Sequence, residues 1–261
     1  MDIDGNDYPT QLVTPVFEEV EKQQLVEQNM RNIVERFKSM FRGNRHQEQM
    51  IKPDVTCPVD RFGSDYGGWD VVTTELHSQS VVYSFGIGED ATFDIALIDK
   101  YGLTVHAFDP TPRSIEWVKR QGFSDRFIMH EYGIASFDGN VSFSPPENPE
   151  HVSHTILDRP STKSKAITVP VKKLATIIQE LGHAQIDVLK MDIEGAEYEV
   201  IQDIYRAKIR PGQILVEFHH RFPGVGIKKT RDAIDSIKSM GYRLFSVSPT
   251  QEEYCFIRDS G

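Results

Sequence analysis

One stretch restricts the fold more than any other. Val81-Val82-Tyr83-Ser84-Phe85 is an apolar run of β-branched and aromatic residues, the composition of a buried strand. It breaks at Gly86-Ile87-Gly88 and resumes as Asp90–Ile98, where Phe93, Ala96, Leu97 and Ile98 give an amphipathic helix. Strand, glycine turn and helix form the entry to a nucleotide-binding βαβ unit. Glycine lets the backbone pass close to a ligand where a Cβ would collide, and the helix start offers unpaired N–H groups to the same place. Gly-x-Gly by itself is equally an ordinary tight turn. A second apolar run, Leu103–Phe108, ends in Asp109, about 20 residues past the glycines, where a ribose-binding carboxylate is expected. Ala91 stands where a dinucleotide fingerprint carries its third glycine, a change that NAD tolerates. Glu89 and Asp90, however, would repel a pyrophosphate at the helix start. A cationic ligand without phosphate, such as S-adenosylmethionine, suits that mouth better.

The alternation continues along the chain. Strands are expected at 81–85, 104–108, 126–131, 186–191 and 213–218, with helices at 90–100, 112–121, 196–206 and 227–240, the last stopping at Gly241. This is an α/β, doubly wound, mostly parallel sheet. Tyr242–Val247 and Glu253–Ile257 add two strands whose short link makes them antiparallel. Phe137–Phe143 reads as a small hairpin, and 166–171 as a strand leading into a helix over 172–182. Between them, residues 145–165 form a long polar loop, an active-site cover or a disordered segment.

Upstream, residues 1–14 read as a leader. Val16, Val20, Val26, Met30, Ile33, Phe37, Met40 and Phe41 mark an amphipathic helix that packs on the main domain or joins two copies into a homodimer. Residues 43–60 read as a linker, so the chain divides into an extension, 1–60, and a domain, 61–261. The glycine- and aromatic-rich stretch Arg61–Asp70 is either a turn with its aromatics tucked inward or a loop folding over the cofactor or acceptor. A net charge of -10 argues against general nucleic-acid binding, which needs a basic face. No run approaches a transmembrane helix, the acidic polar N-terminus is no secretory signal, and two cysteines make no disulfide framework. A cytoplasmic protein is expected.

Gly86-Ile87-Gly88, Asp109, Tyr132-Gly133-Ile134-Ala135 and Leu189-Lys190-Met191-Asp192-Ile193-Glu194-Gly195-Ala196-Glu197 together resemble the FkbM family of S-adenosylmethionine-dependent methyltransferases. The last motif is the most specific, and the resemblance covers roughly residues 80–258. It implies the class I methyltransferase fold, Rossmann-like, with a seven-stranded sheet whose last strand is antiparallel. It also implies O-methylation of a hydroxyl on a sugar, glycan, polyketide or other secondary metabolite, without naming the acceptor. The competing readings are an NAD-dependent oxidoreductase on a related fold and a nucleotide-binding protein without catalysis.

On this resemblance, Phe85, Gly86 and Gly88 let the cofactor lie against the first strand, and Asp109 meets its ribose. Pro110 and Thr111 flank the adenosine, Glu89 meets the cofactor's ammonium, and Tyr132, Gly133 and Ile134 line the adenine side. Asp192 faces the methyl group at the carboxyl edge of its strand, where ligands of open α/β sheets bind; Glu194 shares that edge or caps the next helix. Glu217 and His219 lie on one face of the following strand and His220 on the other. His219 titrates near neutral pH and is the expected general base, oriented by Glu217 beside Asp192. Asp192, Glu217 and His219 are also ligand types for a divalent ion. Without a dense ligand-spacing motif no metal is expected.

Overall fold

A computed structural model describes residues 50–143 and 167–259. The compact unit that carries its elements is Ile51–Gly261. The expected helix over 15–42, the dimer built on it and the loop 145–165 lie outside the described residues.

The unit opens with a hairpin, β1 (Val59–Phe62) and β2 (Trp69–Val72), paired antiparallel with Phe62 opposite Trp69. Next come β3 (Val81–Phe85), α1 (Thr92–Tyr101), β4 (Thr104–Phe108), α2 (Pro112–Gln121) and β5 (Phe127–His130). Three short strands follow: β6 (Gly133–Ile134), β7 (Gly139–Phe143) and β8 (Ile167–Lys172). After α3 (Leu174–Leu181) the alternation resumes with β9 (Val188–Met191), α4 (Glu197–Ala207), β10 (Gln213–Glu217) and α5 (Ile227–Ser239). The chain closes with β11 (Tyr242–Val247) and β12 (Glu253–Arg258).

The central sheet has seven strands in the order β11-β12-β10-β9-β3-β4-β5. β12 inserts between β10 and β11 and runs antiparallel to both, while the β10–β9, β9–β3, β3–β4 and β4–β5 pairs are parallel. Parallel strands covered on both faces need apolar residues at successive positions, and β3, β4, β9 and β10 meet that need. One face buries Tyr83, Phe85, Phe108, Leu189 and Met191 against Ile177, Ile201, Ile234 and Ile237 of α3, α4 and α5. The other buries Val82, Val105, Val188 and Leu215 against Phe93, Leu97 and Ile98 of α1 and against Phe62, Trp69 and Val71 of the hairpin. The chain reverses its direction of growth between β3 and β9, so the carboxyl ends of these strands flank the crevice where such folds take ligands.

Three details differ from the expectation. Phe137–Phe143 makes no hairpin of its own: its strand β7 pairs antiparallel with β8, Val141 opposite Val169, in a separate small sheet ordered β6-β8-β7. The partner strand begins only at Ile167. Arg61–Asp70 is a strand pair rather than only a turn. The compact unit also begins at Ile51 rather than Arg61. Asp54 ties this segment down: its N–H donates to the Leu244 carbonyl at 2.7 Å, and its carboxylate accepts from Leu244 N–H at 3.0 Å and Lys238 Nζ at 2.8 Å. Isolated polar residues in a Pro-punctuated stretch carry no periodic signal, so such tertiary anchoring escapes a reading by pattern.

Candidate functional site

The glycine turn after β3 is held by its neighbours on both sides. The Gly86 N–H donates to the Phe108 carbonyl at 3.0 Å, and the Asp192 N–H donates to the Phe85 carbonyl at 3.1 Å. Lys190 of β9 is buried, and its Nζ donates to the carbonyls of Gly86 at 2.6 Å and Phe85 at 3.2 Å. From β4, one oxygen of Asp109 accepts the N–H groups of Ile87 at 3.1 Å and Gly88 at 3.0 Å. Its other oxygen accepts the Thr111 N–H at 2.9 Å and hydroxyl at 2.7 Å. Four donors occupy the lone-pair sites of one carboxylate, so Asp109 is first of all the clamp of the glycine turn.

The two glycines do different work. A Cβ on Gly86 would stand 1.7 Å from the Asp192 carbonyl oxygen, whereas a Cβ on Gly88 would meet nothing within 4 Å. Gly86 is therefore required by protein backbone, and only Gly88 leaves open space for a ligand. Phe85 is fully buried and stacks on Phe108 at 4.3 Å, so only its backbone borders the crevice. Gly133 packs on the Pro110 ring and Ile134 is buried in the core. Tyr132, half-buried, lies beside Phe108 with Lys172 Nζ 4.5 Å above its ring. Glu89 is bound to Arg113 at 2.7 Å, which holds its carboxyl below the usual range. An ammonium would have to compete with that guanidinium.

Because the Asp192 carbonyl abuts Gly86, the end of β9 lies against the turn. Here Glu194 takes a positive φ of 56° and Gly195 one of 105°. This turn brings the Ile193 and Gly195 N–H groups onto the carboxylate of Glu197, a fully buried residue at the start of α4. Glu197 also receives His219 Nδ1 at 2.8 Å. His219 Nε2 then points among three carboxylates, 3.5 Å from Glu194, 3.7 Å from Asp192 and 3.8 Å from Glu217. Asp192, Glu194 and His219 each offer an atom to a common point, with all three atoms within 4.8 Å of one another. This is a different trio from the Asp192, Glu217 and His219 set considered from sequence.

The charges here are strongly coupled. Burial alone would lower the His219 pKa, but Glu197, Glu194 and Asp192 outweigh it and raise it well above the ordinary value. Burial, reinforced by Asp192 and opposed by His219, pushes the Glu217 carboxyl up to about 9. The expected free imidazole base is therefore not what this environment provides, since an imidazolium enclosed by carboxylates has no lone pair to accept a proton. Sequence spacing placed the ring correctly beside Asp192 and Glu217 but carried no sign of Glu197 behind it. Asp192, with a side chain 33% exposed, is the most open of the group.

The β1–β2 turn borders the same crevice. Its Ser64 N–H donates to Thr92 Oγ1 at 2.8 Å and its hydroxyl to Asp90 at 2.7 Å, fastening the turn to the start of α1. Phe62 and Trp69 tuck inward, while Tyr66 at the tip is 89% exposed. The inward aromatics of the turn reading are thus Phe62 and Trp69.

With this geometry in hand, comparison with known proteins is direct. Residues 80–244 match the family model of the methyltransferase FkbM domain. The probable methyltransferase-like protein 24 of Rattus norvegicus is 28% identical over 187 residues, covering 70% of this chain and 43% of that protein. The hexuronic acid methyltransferase AglP of Haloferax volcanii is 28% identical over 120 residues, covering 44% of this chain and 47% of its own. Among solved structures, the methyltransferase FkbM of Methylobacillus flagellatus superposes with a TM-score of 0.47 at 16% identity, covering 70% of this chain and 44% of that one. The chain thus spans less than half the length of these relatives. The matched segment runs from Ser80, before the glycine turn, to Leu244 in β11, and takes in both halves of the crevice: the chain belongs to the FkbM methyltransferase family.

Proposed function

We propose that the protein is an S-adenosylmethionine-dependent O-methyltransferase whose acceptor is a hydroxyl of a sugar or glycan. The observation that carries this reading is the contact of the Asp192 carbonyl with Gly86, which joins the glycine turn to the acid and imidazole cluster in one crevice. The residues fit the cofactor. Gly88 leaves the space that a Cβ would fill, and Asp90 and Asp192 give the crevice the negative charge that suits a sulfonium and an ammonium. Gly88, Pro110 and Tyr132 are the residues that would hold it, with Asp109 fixing the turn. The cofactor supplies an electrophilic methyl group when bound.

The chain's own residues must then align the acceptor and take its proton, because a hydroxyl keeps its proton at neutral pH until the new bond forms. Asp192 is the most exposed member of the cluster and is the proposed proton acceptor, with Glu217 beside it. His219 positions that carboxylate from behind. The kinship with a hexuronic acid methyltransferase favours a carbohydrate acceptor over a polyketide. Release of S-adenosylhomocysteine, measured over hexuronic acid glycans, neutral sugars and polyketides, tests the reading. Turnover on carbohydrate that falls roughly 10²–10⁴-fold in Asp192→Asn is the expected result. A protein whose melting temperature rises with NAD but not with S-adenosylmethionine would refute it.

A further inference from the structure

We propose that Asp192, Glu194 and His219 form a binding site for one divalent cation of the manganese type. Asp192, Glu194 and Glu197 all face the His219 ring, more carboxylates than one charge on that ring balances. The donor geometry is the stronger argument. His219 is 8% exposed, and its Nδ1 is committed to Glu197, itself fully buried, at 2.8 Å. A carboxylate on one ring nitrogen fixes a proton there, so that a cation can displace the proton on the other and take its lone pair, the arrangement that orients metal-binding histidines. That other nitrogen is aimed into the carboxylates yet stands 3.5 Å or more from each, beyond the usual 2.7–3.2 Å of an N–H···O bond.

The spacing suits an ion. Bonds of about 2.0–2.2 Å put neighbouring ligand atoms roughly 3 Å apart in an octahedron. The Nε2 distances of 3.5 Å to Glu194 and 3.7 Å to Asp192 need to close by less than about 1 Å. One imidazole with two carboxylates sits between the oxygen sets of magnesium and the nitrogen-rich sets of zinc or copper, which favours manganese. Glu217, at the rim, is left to hold a metal-bound water. Three protein ligands leave positions open toward the crevice, where vicinal oxygens of an acceptor would bind beside the Asp192 oxygen that the ion does not use and that takes the proton. That last role rests on the methyltransferase reading, whereas cation binding does not.

The test uses the whole chain stripped with a chelator, with neither methyl donor nor acceptor present. Manganese chloride is titrated in, and free Mn²⁺ is followed by its electron paramagnetic resonance signal. The expected result is one ion bound per chain, with affinity weakened at least tenfold in His219→Gln and in Asp192→Asn. Glu197→Gln should weaken it by about 10–100-fold, the range for a residue that orients a ligand. Should the buried variants fail to fold, Asp192→Asn, at the most exposed of these positions, and the wild-type stoichiometry still decide. No ion bound by the wild type, or equal binding by wild type and Asp192→Asn, overturns the proposal and leaves a ring proton as the cluster's only counter-charge. Carbohydrate methylation that persists without manganese, in a protein that binds it, would instead separate the ion from the chemistry.

Discussion

Gly86 and Gly88 look interchangeable in the sequence, and replacing each by alanine should give clearly different outcomes. Both have positive φ, 80° and 58°. An L-residue there costs about 1–2 kcal/mol, so both variants lose that much. At Gly86 the new Cβ also lands 1.7 Å from the Asp192 carbonyl oxygen, where ordinary contact is 3.4–4 Å. The end of β9 or the turn must move by well over an ångström, which costs about 1–3 kcal/mol more. That displacement also disturbs the Lys190 and Asp109 bonds to the turn. At about 2–4 °C per kcal/mol for a domain of this size, Gly86→Ala should lower the melting temperature by roughly 10 °C. Gly88→Ala should lower it by about 2–8 °C. Affinity should show the opposite pattern among folded protein, since only the Gly88 methyl enters open space. Calorimetric titration of S-adenosylmethionine into Gly88→Ala should read a loss of tenfold or more in a protein that remains folded. Equal melting temperatures for the two variants would show that the Asp192 contact does not impose glycine at 86.

Two further perturbations probe the supports of the crevice. Asp109→Asn keeps shape but turns an NH₂ toward either the turn or Thr111, both already donors. It should cost about 2–4 kcal/mol, read as a lower urea midpoint at unchanged slope, and a neutral effect would remove Asp109 from the clamp. His106 stacks with His130 and bonds it through Nδ1 at 3.0 Å, and burial, with His183 and His130 adding to it, pushes its pKa down to about 4. The unfolded chain, at about 6.5, then binds the proton more readily. Its contribution is full above that pH and is lost as pH falls toward about 4, a change of roughly 3 kcal/mol. The stability advantage of wild type over His106→Phe in urea should shrink by that amount on acidification, and a pH-independent difference would mean the ring is not held neutral.

The parts of the fold legible in the sequence were those whose signal is local and periodic. The strands β3, β4, β9 and β10 are short apolar runs between helices, and the topology of such alternation is nearly forced. What stayed hidden was pairing across distance. β7 finds its partner β8 beyond residues 144–166, and Asp54 finds Leu244 and Lys238 near the other end of the chain. Neither Phe137–Phe143 nor the segment around Asp54 has a composition that names its partner. The β1–β2 hairpin was hidden for a different reason. Its glycines and aromatics read as a turn, and a four-residue strand shows too little alternation to be told from one.

The crevice shows the same division at the scale of side chains. Residue type and strand alternation placed Asp192, Glu217 and His219 together, because that requires only neighbouring strands and a period of two. They could not tell a residue that meets a ligand from one that holds the residue that does. Gly86, Asp109 and Glu197 carry the family motifs, yet each spends its bonding on protein: against the Asp192 carbonyl, on the Ile87 and Gly88 N–H groups, and on His219. Lys190, in the middle of an apolar strand, was the legible clue left unread. A buried lysine needs partners, and its partners are the carbonyls at the start of the glycine turn. The specificity of such motifs therefore lies as much in building two touching turns as in contacting the ligand. Substitutions at Lys190 and Glu197 should accordingly shift stability and ligand affinity together, while Asp192→Asn should change ligand affinity with little change in melting temperature.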